Sequence, residues 1–148
     1  MMRTLILSDT PSTSFNFFRE VFLEVKPSLI LIAGDLVDDD KSDEGSLEKW
    51  ESLYELISLF DKSKVQAFFI KGNWDGHKYY DRLIEMTGDS LYVEEISGKF
   101  VEFRGTRILG VPYSFTHCLK NAKRISEYFP EPVDIVLAHA EPPKDMAI

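Results

Sequence analysis

The sequence predicts a layered α/β domain with mixed β-sheet, and three observations carry that prediction. Short, continuous apolar runs of strand length alternate with stretches whose apolar residues recur at helical spacing. In the middle of the chain this alternation gives way to short β-prone segments joined by turn residues. Several of the buried-looking runs also stop on a polar side chain, as strands do when they deliver residues to a crevice. Strands separated by helices pair in parallel, whereas strands separated by tight turns pair antiparallel, so the sheet is mixed.

The elements follow in order. Residues 4–7 are apolar and β-prone; Phe15, Phe18, Phe22 and Val25 then recur at helical spacing until Pro27 stops them. LILIAG (29–34) reads as a second strand, followed by the acidic loop DLVDDDKSDEG (35–45). Leu47, Trp50, Leu53, Tyr54, Ile57 and Phe60 form the strongest helical stripe, with Ser46 as its expected N-cap. VQAFFI (65–70) is a third strand, and HKYYDRLIEMT (77–87) a helix closed by Gly88. Residues 91–111 read as antiparallel strands, turning at Ser97-Gly98 and at Gly105-Thr106. Leu119, Ala122, Ile125 and Phe129 mark another helix ended by Pro130, and VDIVLA (133–138) is the last strand.

Bulk properties narrow the function. At 148 residues and 44% apolar, the chain supports one domain (1–148) with a real core, and no repeat or linker divides it. A formal charge of −8 repels nucleic-acid phosphates, so no nucleic-acid surface is expected. Cys118 is the single cysteine, which excludes an internal disulfide and a Cys-rich zinc site and fits a reducing compartment. No apolar run reaches the ~18 residues of a membrane helix, and Asp9 interrupts the only N-terminal apolar stretch. A cytoplasmic location without membrane contact is expected.

The chemistry lies in how the strands end. The first run ends in Asp9, the second in Asp35, the third in Asn73 and the last in His139. Each has a local alternative: Asp9 as a helix cap, Gly-Asp and Gly-Asn as turn pairs, His139 as a bonded core residue. If the strands run mostly parallel, however, all four converge on one crevice. Two carboxylates, an amide oxygen and an imidazole suit Mn, Fe, Zn or Mg, and a cation would offset the repulsion between the acids. Gly34 and Gly72, each preceding one of these residues, let the backbone turn sharply.

Ser8-Asp9-x-Pro11, GDLVD (34–38), KGNWD (71–75) and LAHAEPP (137–143) together resemble the successive motifs of the calcineurin-like metallophosphoesterases, over residues 3 to about 143. The resemblance implies a four-layer αββα sandwich with a two-metal site at the strand ends. It implies that Asp9 binds the first metal, Asp35 bridges both, and Asn73 and His139 bind the second, with Asp38 and Asp75 in support. Asp35, Asn73 and His139 are thereby the catalytic set, acting on a small phosphorylated substrate.

This sequence departs from the family pattern in three places. Pro11 stands where the family has a ligand histidine, Trp74 where it often has a histidine that protonates the leaving group, and the chain reaches Ile148 without a Gly-His-x-His motif. The expectation is therefore a domain lacking the family's C-terminal strands: either a short relative whose exposed edge a homodimer covers, the favoured reading, or a shortened gene product. One moderate metal site is expected rather than a tight pair, with weak or absent turnover. The alternative function is an inactive scaffold that binds a partner.

Other features read as ordinary surface. His77 and His117 are expected to sit solvated at helix starts, and the acids of residues 38–44 to form a solvated loop rather than an EF-hand. Arg104 and Arg107 read as surface residues, and Tyr113 and Ser114 line the crevice without an assigned role. No glycine-rich turn follows the first strand, which argues against a nucleotide-binding domain.

Overall fold

The computed structural model describes residues 1–8, 15–37, 43–73, 75, 77–113 and 132–139. Seven strands and three helices occur among them. They are β1 (Thr4–Leu7), α1 (Phe15–Val25), β2 (Leu29–Ile32), α2 (Asp43–Lys62), β3 (Gln66–Phe69), α3 (His77–Thr87), β4 (Val93–Glu95), β5 (Phe100–Phe103), β6 (Thr106–Val111) and β7 (Ile135–Ala138). No helix among the described residues is long and apolar enough to cross a membrane.

The first sheet is wholly parallel in the order β1-β2-β3-β4. Each strand lies beside its predecessor, and right-handed crossovers in such an order put every connecting helix on the same face. The core bears this out. Ile30, Ile32, Ala67 and Phe69 on that face pack with Phe15 and Phe22 of α1, Trp50, Leu53, Ile57 and Phe60 of α2, and Tyr80 and Leu83 of α3. All four β2 side chains are buried because both faces of the sheet are covered.

The opposite face is left for the second sheet, β5-β6-β7, where β5 and β6 are antiparallel and β6 and β7 parallel. Leu29, Leu31, Phe68 and Ile70 meet Ile96, Ile108 and Leu137 across the sandwich. Leu109 and Val111, on the outer face of the second sheet, are also buried, with Val133, Val136 and Ala138 against them. Helices, sheet and sheet thus stack as expected. The helix expected around Leu119–Phe129 lies outside the described residues.

Three local expectations are corrected. Helix α2 begins at Asp43, so Ser46 lies inside it; the apolar stripe starts only at Leu47 and does not register the first turn. Helix α3 does end at Thr87, directly before Gly88 as expected, though Gly88 lacks a left-handed backbone. The Ser97-Gly98 turn is no hairpin. Strand β4 joins β3 in parallel, and the chain then steps to the other sheet, where Ser97 bridges Gly110 and the Gly98 N–H donates to the Gly110 carbonyl at 2.9 Å. The true hairpin turn is Arg104-Gly105 rather than Gly105-Thr106, with φ of 50° and 79°, as in a type I′ turn, whose two left-handed central residues match the strand twist.

Candidate metal centre

Strands β1, β2 and β3 run in one direction, so their carboxyl ends share an edge. Beyond β2, Gly34 (φ 87°) and Asp35 (φ 49°) are consecutive left-handed residues that swing the chain across that edge. Positive φ is costly for a side chain with a Cβ, though Asp tolerates it better than most residues. Strain of this kind at a strand end is common where geometry is functional.

The loop after β3 approaches the loop after β2 so closely that only glycine fits. A Cβ on Gly72 would lie 2.2 Å from Asp35 Oδ1, and one on Gly34 would lie 2.6 Å from the Gly72 nitrogen and 3.1 Å from His139 Nδ1. Asp75 clamps the two loops together. Its Oδ2 accepts the N–H of Gly72 at 2.7 Å and of Asp35 at 3.1 Å, and its Oδ1 accepts the N–H of Leu36 at 2.9 Å. Only 4% of Asp75 is exposed. Burial pushes its carboxyl above the usual carboxylate range; the Gly72 and Leu36 N–H groups oppose that shift and the Asp35 charge adds to it.

From the second sheet, β7 ends at Ala138 and delivers His139 to the same edge. His139 Nε2 lies 2.7 Å from Asn73 Oδ1 and 3.1 Å from Asp35 Oδ2, so residues from three strand ends meet. The side chains of His139 and Asp35 are 7% and 12% exposed. His139 Nδ1 sits 2.8 Å from the Ala33 carbonyl. A carbonyl only accepts, so Nδ1 carries the ring hydrogen and donates it.

That tautomer decides the electrostatics. With its hydrogen on Nδ1, the ring turns Nε2 toward the carboxylate of Asp35 and the amide of Asn73. Electron-rich atoms at these separations need positive charge among them, from a proton or a metal ion. Metal-binding histidines characteristically donate their other N–H to a carbonyl or carboxylate, as His139 does. Ligands at right angles about a small divalent ion with ~2.1 Å bonds lie about 3.0 Å apart, close to the spacing here. The donor set fits such an ion.

Asp35, Asn73 and His139 are thus brought together as expected, and Asp75 supports them through the backbone. Asp9, Pro11, Asp38, Trp74, Ser114 and His117 lie outside the described residues. No group of three or more His, Cys, Asp or Glu side chains suited to a metal occurs among the described residues. Arg107 pairs with Asp134, its Nε 3.2 Å from Oδ2, and Arg104 lies over the Phe103 ring at 5.1 Å. Both belong to the end of β6 remote from the site, as surface residues would. Sequence reasoning passed over the Ala33 carbonyl, since backbone groups leave no mark in composition. It also passed over Lys71 and Ser97, which join Tyr113 around a cavity beside Asn73.

The sequence model of the calcineurin-like phosphoesterases matches residues 2–147. The chain belongs to that family. Among solved structures, it is similar to the crystal structure of TT1561 of Thermus thermophilus. The TM-score is 0.58 at 14% identity, over 76% of this chain and 49% of that one. A second solved structure gives a TM-score of 0.53 at 13% identity, over 90% of this chain and 66% of the other. This phosphoesterase-family chain therefore spans about half the length of the first and two thirds of the second. At such identities the likeness shows the fold alone. No curated protein matches the chain.

Proposed function

We propose that this chain is a metal-dependent phosphoesterase of slow turnover, with one divalent ion held by Asp35, Asn73 and His139 and assisted by Asp9. The observation that carries the reading is the position of His139 Nε2, 2.7 Å from Asn73 Oδ1 and 3.1 Å from Asp35 Oδ2, with Nδ1 held by the Ala33 carbonyl. An ion bound there supplies a Lewis acid for a phosphoryl oxygen and an activated water near neutral pH. The protein's part is orientation. Gly34 and Gly72 let the two loops touch, Asp75 locks them through three N–H groups, and the Ala33 carbonyl fixes the imidazole. Proline has no side-chain donor atom for a metal, so Pro11 removes a ligand from the family's first position. The position held by Asp35, Asn73 and His139 keeps three protein ligands, as is typical of a catalytic metal.

A second reading, a phosphoesterase scaffold kept for protein contact, is favoured by that same Pro11. Turnover separates the two. With Mn²⁺ and the chromogenic diester bis(p-nitrophenyl) phosphate, the wild type should exceed Asp35→Asn by at least about a hundredfold. Equal, background rates for both proteins would leave the scaffold reading.

A further inference from the structure

A cavity of about 410 Å³ adjoins the metal centre and shares Asn73 with it. Small-molecule sites span roughly 300–1,000 Å³, so its size suits a small organic group rather than a segment of polymer. Three stretches of chain build it: the loop after β3, the step from β4 to the second sheet, and the end of β6. Their backbones are tied together. The Lys71 N–H donates to Ser97 Oγ at 3.1 Å, and the Tyr113 N–H donates to the Lys71 carbonyl at 3.4 Å. The walls are therefore preformed, which spares a ligand the cost of ordering them.

The lining has a definite chemistry. Tyr113 is 40% exposed and meets the His139 ring edge-on, with centroids 6.2 Å apart, so its aromatic surface adjoins the metal centre. The Lys71 ammonium lies 4.9 Å from the Tyr80 ring centroid. Glu95 Oε1 accepts from the Tyr80 hydroxyl at 3.3 Å and from the Ser97 N–H at 3.1 Å. The ammonium groups of Lys71 and of Lys99, which lies 3.6 Å from Glu95 Oε2, are offset by Glu95 and Asp75, both of which line the cavity. Among the described residues the cavity thus has no surplus of positive charge for a second phosphate or a carboxylate. It offers an aromatic ring for an apolar face, and hydroxyl, ammonium and carboxylate groups for ligand hydroxyls.

We propose that this cavity holds the organic part of the ester, and that it selects a neutral, hydroxyl-bearing ring such as the sugar of a sugar phosphate, with Tyr113 as the positioning residue against its face. The inference rests on the phosphoesterase reading and adds the substrate class. The full chain with Mn²⁺ is titrated with inorganic phosphate and with glucose 6-phosphate, and the ratio of the two affinities is the readout. In the wild type the sugar phosphate should bind about fivefold more tightly or better. Tyr113→Ala should bring the ratio to near one, and Tyr113→Phe, which keeps the ring, should restore most of it. If phosphate binds but the wild-type ratio is near one, or Tyr113→Ala leaves it unchanged, the inference is overturned and the phosphoesterase reading stands. If neither ligand binds, both fall.

Discussion

Asp75 carries more structural consequence than its place in the KGNWD motif suggests. Three backbone N–H groups from two loops donate to one buried carboxylate. An amide in its place turns one arm into a donor and faces it against donors. Asp75→Asn should therefore cost about 2 kcal/mol in urea unfolding, the cost of leaving a buried N–H unsatisfied. A loss indistinguishable from zero would mean that the loops hold each other without the clamp. At this scale Asp35, Asn73 and His139 were legible because each is a polar stop after an apolar run. The Ala33 carbonyl and the convergence of donors on Asp75 were not, since contacts of 40 residues' separation and backbone acceptors have no local signature.

Among the elements, the loops after β2 and β3 act as one unit, because Gly34 and Gly72 allow them to touch. A methyl group on Gly72 would overlap the Asp35 carboxylate and its backbone nitrogen, so one loop must move. Gly72→Ala should destabilise the fold by about 1–3 kcal/mol, as overpacking does, and weaken metal binding together with it. Unchanged stability and metal affinity would show that the loops adjust freely. Strand and helix positions followed from periodicity, as in β2 and α3. The fate of β4 did not: a Ser-Gly turn reads the same whether the chain folds back or crosses to another sheet. Val93 and Ile96 show the difference only in three dimensions, packing on opposite sides of the first sheet.

For the whole molecule, the proposed function depends on two sheets ending at one place. The sequential parallel sheet puts its helices on one side and frees the other for the second sheet. That packing lets His139, from the second sheet, reach Asp35 and Asn73, from the first. The layered class was legible in the alternation of elements. The split into two facing sheets was implied by the motif resemblance alone, because strand-length apolar runs carry no label for the sheet they join. The central claim is that this junction holds a divalent ion. Calorimetric titration of Mn²⁺ into the wild type and into His139→Ala tests it most directly. The account predicts one saturable site in the wild type, weakened at least about a hundredfold in the variant. Identical isotherms for the two proteins, or no heat in either, would contradict it.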